Sequence, residues 1–353
     1  MTFANGAVAK NRVWLAPLTN LQSHPDGTLG DDELRWLLSR ADGGFGVIET
    51  CAAYVGVDGK AWPGELGISG DEHLPGLTRL ATEMTRRDTL GIVQIFHGGL
   101  RASPDLTGGP VWSASAVPDG NVTPREATEQ DITRAIDQFR AAAVRAHQAG
   151  FQGVELHGAH GYLLAQFVSR LHNQRTDGWG GALEGRSRLL REALRAVRSA
   201  VPSSFVVGVR LSPEDFGQSK GLDLDESLQL AAWLADDGAD FLHLSLWTVS
   251  RNTTKYPDQH PIPLFRKAVP AKVPLVVAGH LWTRADAEFA LEKGAAAVAL
   301  GRSAIVNPSW PRDIEDPAWE PRRPPLSTQE LLDRGLSRTF AQYMSRWKNF
   351  VVD

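Results

Sequence analysis

Cysteine is nearly missing: Cys51 is the one thiol in 353 residues. That excludes an intramolecular disulfide, a cysteine-ligated iron–sulfur cluster and a cysteine-based zinc site. Basic blocks are missing as well. No run of five or more Lys/Arg occurs and the formal net charge is −4, so nucleic acid is not an expected partner. No apolar run approaches the length of a membrane span, so a membrane is not expected either. The segment Met1 to Lys10 lacks a basic stretch followed by an apolar core and reads as no signal peptide. What remains is the composition of a globular protein, 42% hydrophobic and 22% charged. A cytoplasmic enzyme is the expectation.

Short apolar runs alternate with helical stretches along most of the chain. The strand candidates are Arg12–Pro17, Phe45–Thr50, Gly91–Phe96, Gly153–His157, Phe205–Leu211, Phe241–Ser245, Leu275–Ala278 and Ala297–Leu300. Amphipathic helices are predicted over Asp31–Ala41, Gly76–Asp88, Glu129–Gly150, Gly185–Ser199, Asp225–Gly238 and Thr283–Lys293. Thr128 and Thr283 stand where helices start, and Gly150 and Gly294 where they stop. A βα unit repeated eight times fits a single-domain (β/α)8 TIM barrel, with a doubly wound open sheet as the alternative. The barrel is expected over about residues 1–307. Ala102–Pro124, rich in Gly, Pro and Ser, is expected to be a long loop near the barrel mouth. Residues 308–353 form an extension, with a helical tail from Thr328 whose Phe340, Tyr343 and Trp347 make an apolar stripe. The stripe packs on the barrel wall or forms a subunit interface in a homo-oligomer.

Chemistry concentrates where predicted strands end, the face on which barrel enzymes place their sites. Val154-Glu155-Leu156-His157-Gly158-Ala159-His160-Gly161-Tyr162 reads as a buried strand breaking into glycine-rich backbone, with two imidazoles and a phenol beyond the break. The imidazoles can hold an oxygen that gains negative charge, and the phenol is a nearby weak acid. A metal-dependent barrel hydrolase with His157 and His160 as ligands is the rival reading. The spacing is not that of the zinc-protease helix, and Gly158 and Gly161 argue against a regular helix. The seventh and eighth strands run into Gly279-His280 and Gly301-Arg302, a pairing that suits phosphate. Arg210 and Gln94 lie within apolar strands and would suit the polar edge of a planar heterocycle. Trp247, just after the sixth strand, is a candidate for the pocket mouth, whereas packing is the safer reading for Trp62, Trp112 and Trp282.

These residues resemble the old yellow enzyme family of FMN-dependent NAD(P)H:flavin oxidoreductases. The likeness runs from Ala16-Pro17-Leu18-Thr19 to Asn307-Pro308 and is most specific over Phe151–Arg188, where the His157–Tyr162 run is followed by Asn173-Gln174-Arg175-Thr176-Asp177 and Gly180-Gly181-Ala182-Leu183-Glu184. The resemblance implies bound FMN, with NADH or NADPH as electron donor and an activated alkene as small-molecule substrate. It implies that Ala16, Pro17, Leu18 and Thr19 lie beside the flavin ring and that the Cys51–Ala52 turn gives a backbone contact. Gln94 then meets the pyrimidine edge and Arg210 lies near flavin N1, with Gly279, His280, Gly301 and Arg302 at the phosphate end. His157 and His160 bind the substrate's activating oxygen, Tyr162 is the proton donor, and no metal is required. Departures occur in His97-Gly98-Gly99-Leu100-Arg101, where the arginine stands one place later than in the family pattern. Arg101 is therefore given no role and His97 is read as structural. An arginine of a neighbouring subunit enters the site in some relatives, and Arg338 or Arg346 could do so here. A flavin-binding protein without turnover is the alternative from another class.

Overall fold

The computed structural model describes residues 1–352. All eight predicted strands form: β1 (Val13–Leu15), β2 (Val47–Glu49), β3 (Leu90–Phe96), β4 (Gly153–Gly158), β5 (Val206–Leu211), β6 (Phe241–Ser245), β7 (Leu275–Ala278) and β8 (Ala297–Leu300). Each pairs in parallel with the next, and β8 pairs back onto β1 through Val13 with Val298, Trp14 with Ala299 and Leu15 with Leu300. The sheet is a closed barrel, not an open doubly wound one.

Helices α1 (Asp31–Asp42), α2 (Leu74–Thr85), α3 (Glu129–Gln148), α4 (Leu183–Ala200), α5 (Leu224–Asp236), α6 (Pro261–Ala268) and α7 (Arg284–Glu292) pack outside. α3 and α7 start in capping boxes, Thr128 with Asp131 and Thr283 with Asp286, which satisfy otherwise orphaned N–H groups. Sequence reasoning missed α6, which carries Pro261 and Pro263. Both sit in the first turn, where no backbone donor is lost, and His260 caps the turn by accepting from the Ile262 N–H at 3.3 Å. A short helix at Leu163–Val168 was also missed. The expected loop at 102–124 is partly ordered: a helical turn spans Pro104–Thr107, and Trp112–Ser113 pairs with Arg125–Glu126.

Side chains alternate along every strand, so one set faces the helices and the other fills the barrel. The lower interior is apolar. Trp14 and Phe241 meet edge to face at 5.1 Å, and Phe3 from the N-terminal segment plugs the barrel from below, its ring 6.0 Å from Trp14 and 6.1 Å from Phe241. Gly208 is forced by this packing, since a Cβ there would stand 2.1 Å from the Phe241 ring. Two residues higher on several strands the interior turns polar, with Glu49, Gln94, Glu155, Arg210 and His243 all buried.

The tail folds onto its own barrel. Its last helix, α8 (Arg338–Met344), buries Phe340 edge-on against Trp36 of α1 at 5.2 Å, and the Ser337 N–H donates to Gln22 Oε1 at 3.2 Å. Wall packing therefore accounts for the first residue of the apolar stripe within a single chain. Arg346 lies over the ring of Tyr343 at 5.2 Å in the same tail, and Arg338 is exposed.

Candidate active site

The chain leaves β4 through two residues in the left-handed region, His160 (φ 58°) and Gly161 (φ 70°). Gly161 has no alternative: a Cβ there would stand 2.4 Å from the Gln218 carbonyl oxygen, where the loops after β4 and β5 cross. This bend turns three rings toward one point. His157 lies 5.0 Å from His160 and 5.0 Å from Tyr162 between ring centres, both near edge to face. Phe96 of β3 backs Tyr162 at 4.5 Å.

Hydrogen bonds set the tautomers. His157 Nδ1 accepts from the Ala159 N–H at 3.4 Å, which leaves Nε2 as the donor. His160 Nε2 meets Ser245 Oγ at 2.6 Å, and Arg210 Nη2 donates to the same oxygen at 3.3 Å. We assign the serine proton to His160 Nε2, which makes Nδ1 the free donor. Burial pushes both imidazoles well below their ordinary pKa, His160 and Arg210 adding to the effect on His157, and Arg210 and His243 on His160. Both are neutral at pH 7, and each keeps one N–H to offer. Burial raises the Tyr162 phenol and Arg101 opposes the rise, so the phenol is a protonated donor.

Arg101 corrects the sequence reading. Its Nη1 donates to the His160 carbonyl at 2.6 Å and its guanidinium lies over the Tyr162 ring at 4.8 Å. It holds both the bent backbone and the phenol. His97 is buried, accepts the Gly99 N–H on Nδ1 at 3.1 Å and packs on Trp112 at 4.9 Å. Trp62 packs against Phe96 at 5.3 Å. Asn173 donates to the Phe167 and Trp179 carbonyls and so ties the loop after β4 to itself.

A cavity of about 510 Å³ opens at this end of the barrel, within the roughly 300–1,000 Å³ of cofactor and ligand sites. Ala16, Pro17 and Leu18 form one wall; His160, Arg210 and Trp247 another; Gly279, His280, Gly301 and Arg302 the far end. Arg302 Nη2 lies 3.3 Å from His280 Nδ1, so the two groups present one polar edge. Gly279 is required, as a Cβ would stand 2.9 Å from Leu246. Trp282 also lines the cavity.

The other predicted cofactor residues stand behind these walls. Thr19 stands beside the Tyr343 phenol and opposes the burial that raises it. The Cys51 thiol turns toward buried Glu33 and burial pushes it up, so it is no nucleophile. Ala52 packs with Tyr54 and Phe96 beside Tyr162. Gln94 Nε2 donates to Glu155 Oε1 at 2.7 Å, one level below the cavity.

That level is a charged layer the sequence reading did not assemble. His243 Nδ1 lies 2.8 Å from Glu155 Oε2 and 3.4 Å from Glu49 Oε2. Burial and then Glu155 push the Glu49 carboxyl up to about 7. Burial raises Glu155 too, but His243 and Arg210 outweigh it and hold this carboxyl below its ordinary value. Among the described residues Glu49, Glu155 and His243 form the one trio placed to hold a metal ion, and neither His157 nor His160 belongs to it. The metal-hydrolase reading needs carboxylates beside those two histidines, and among the described residues none gathers there.

Arg210 lines the cavity while its Nε and Nη1 have no partner. Buried guanidinium donors are rarely left so, and the acceptor edge of a planar heterocycle would satisfy them. With an apolar wall on β1, the His160 donor just beyond β4 and an arginine–glycine end at β7 and β8, the residues fit FMN, while His157 and Tyr162 stand beside His160 outside the cavity lining.

Comparison with known proteins agrees. The family model described as "NADH:flavin oxidoreductase / NADH oxidase family" matches residues 2–318. The chain is 35% identical over 323 residues to the probable NADH-dependent flavin oxidoreductase YqiG of Bacillus subtilis, covering 89% of this chain and 86% of that one. It is 36% identical to the NADH:acrylate oxidoreductase of Vibrio harveyi, matching 88% of this chain but only 32% of that longer protein. The solved old yellow enzyme homologue from Zymomonas mobilis superposes with a TM-score of 0.83 at 27% identity, covering 97% and 98% of the two chains. No helix among the described residues is long and apolar enough to cross a membrane. Fold, cavity and sequence together place the chain in the NADH:flavin oxidoreductase / NADH oxidase family, the old yellow enzymes, which work with FMN and a nicotinamide donor.

Proposed function

We propose that this flavin oxidoreductase reduces the C=C bond of an activated alkene, an α,β-unsaturated ketone or aldehyde or a nitroalkene. The observation that carries the reading is the convergence of two neutral imidazole donors and a protonated phenol at the end of β4. FMN, when bound, supplies the two-electron chemistry that links NADH or NADPH to the alkene.

The side chains divide the remaining work. His157 and His160 bind the carbonyl or nitro oxygen and stabilise the enolate-like charge that grows on it. Donors aimed at developing charge in a dry site are worth roughly 3–4 kcal/mol each. Tyr162 delivers a proton to the α-carbon, an effect on the order of 10²–10⁴ in rate. Arg101 orients the phenol and restrains its raised pKa. Arg210 offsets negative charge at the pyrimidine edge of the ring, and Arg302 with Gly279, His280 and Gly301 holds the phosphate end. Ala16, Pro17, Leu18 and Thr19, with Gln94 and the backbone of Cys51 and Ala52, complete the cofactor's surroundings. Trp247 bounds the substrate space.

Acrylate, named for the Vibrio relative, is not carried over, because this chain corresponds to about a third of that protein. The test is Tyr162→Phe followed anaerobically in the two half-reactions separately. The reading expects alkene reduction to slow at least tenfold more than flavin reduction by NAD(P)H. Equal slowing of both would remove Tyr162 as the donor.

A further inference from the structure

Aromatic side chains ring the open side of the cavity, and one comes from the far C-terminal tail. Trp247 follows β6, Trp282 follows β7 and Trp347 follows α8, and all three line the same space. Trp247 is 61% exposed and rests edge-on against Phe216 at 5.9 Å. Trp347 is 36% exposed. An indole left this open at a cavity rim retains a large unspent apolar face.

Trp347 is nevertheless held in place. It meets Tyr343 edge-on at 5.0 Å, and Tyr343 carries Arg346 on its ring. Buried Phe340 anchors α8 on one side of it. On the other side the Leu326 N–H donates to the Phe350 carbonyl and the Val352 N–H to the Leu326 carbonyl. A tail fixed on both sides presents a fixed side chain.

Charge on the cavity walls narrows what this rim can select. Among the described residues Arg210 and Arg302 are the only cationic side chains lining it, and no carboxylate does. The function proposed above assigns both arginines to the cofactor, so what the rim itself offers a substrate is apolar aromatic surface.

We infer that Trp347 is a specificity-determining wall supplied by the chain's own C-terminal tail. With Trp247 it selects planar, ring-bearing unsaturated carbonyl compounds over small aliphatic ones. The inference rests on the alkene-reductase reading for the word substrate, and on the cavity geometry alone for binding. Trp347 is a binding residue and takes no part in proton transfer.

The experiment titrates FMN-loaded, oxidised protein without nicotinamide, reading dissociation constants from the flavin absorbance change. The probes are cinnamaldehyde, an aryl enal, and crotonaldehyde, its small aliphatic counterpart. In Trp347→Ala the cinnamaldehyde constant rises tenfold or more, crotonaldehyde shifts less than twofold, and Trp347→Phe recovers cinnamaldehyde to within about threefold. Equal weakening of both probes, or an unchanged cinnamaldehyde constant, overturns the inference. Circular dichroism and flavin content establish that each variant is folded, and the rim position of Trp347 makes unfolding unexpected. Turnover of the same aldehydes separates the two proposals. Discriminating binding without reduction sinks the reductase reading and leaves the wall standing; reduction with no Trp347 discrimination does the reverse.

Discussion

Arg101→Ala removes one guanidinium that touches two parts of the catalytic bend. The charge-assisted bond to the His160 carbonyl, at 2.6 Å, is worth about 1.5–3 kcal/mol. The contact over the Tyr162 ring, at 4.8 Å, adds about 1 kcal/mol in this partly buried setting. A loss of about 3 kcal/mol follows. Unfolding entropy of about 2.1 cal/mol/K per residue, taken over 353 residues, turns this into a Tm drop of about 4 °C. Chemistry is affected more selectively. Without the cation nothing opposes the burial that raises the phenol, so the Tyr162 pKa climbs further. His160, no longer held in its left-handed conformation, becomes a poorer oxygen ligand. The assay is anaerobic stopped flow of both half-reactions across pH, with Arg101→Lys beside Arg101→Ala. Alkene reduction slows at least tenfold in the alanine variant, and the basic limb of its pH profile moves upward. Lysine restores the pH limb in part, but not the full rate, since it cannot both bond the carbonyl and cover the ring. Unchanged alkene reduction with an unchanged pH limb would refute the assignment, whatever the Tm does.

Three further outcomes are expected. His157→Ala loses enone affinity by at least 100-fold while retaining the yellow cofactor; because burial keeps the imidazole pair neutral, wild-type enone affinity stays flat between about pH 6.5 and 8, and titration by flavin absorbance checks both. Arg210→Ala removes the nearby guanidinium that lowers the Glu155 and Glu49 carboxyls and the two unpartnered donors facing the cavity, so FMN retention falls; full flavin occupancy after dialysis would make the arginine structural only. Asp131→Asn costs about 1–2 kcal/mol at pH 7 by breaking the α3 capping box. Arg125 foremost, then Thr128 and Arg134, hold the Asp131 carboxyl below the usual range against burial, so its contribution is complete above the unfolded value near 3.9 and fades as pH falls below it. The gap between wild type and variant in urea midpoints should therefore close toward pH 3.

The barrel was legible because its signal is local. Short apolar runs ending at glycine, and helices opened by Thr128 and Thr283, declare themselves within a few residues. The site at the end of β4 was legible for the same reason, since His157, His160 and Tyr162 lie within six consecutive residues. What escaped needs long-range geometry. Arg101 meets His160 across 59 residues and Ser245 meets His160 across 85. Glu49, Glu155 and His243 each looked like one polar residue in an apolar strand, and only the closed barrel stacks them at one level. Their interruption of apolar alternation was the available clue, the same one that singled out Arg210 and Gln94. Gln94 faces inward as alternation requires, and one hydrogen bond of its Nε2 goes to Glu155. The tail stripe was seen, but not that Tyr343 and Trp347 lead from α1 to the cavity rim.

The central claim is that the ring of donors at the end of β4 faces an isoalloxazine held by Arg210 and Arg302. The most direct measurement is the visible spectrum of purified protein, followed by titration of the stripped protein with FMN. The account predicts a yellow protein, a stoichiometry of one and bleaching by NADH or NADPH without oxygen. A colourless protein that fails to take up FMN would contradict it.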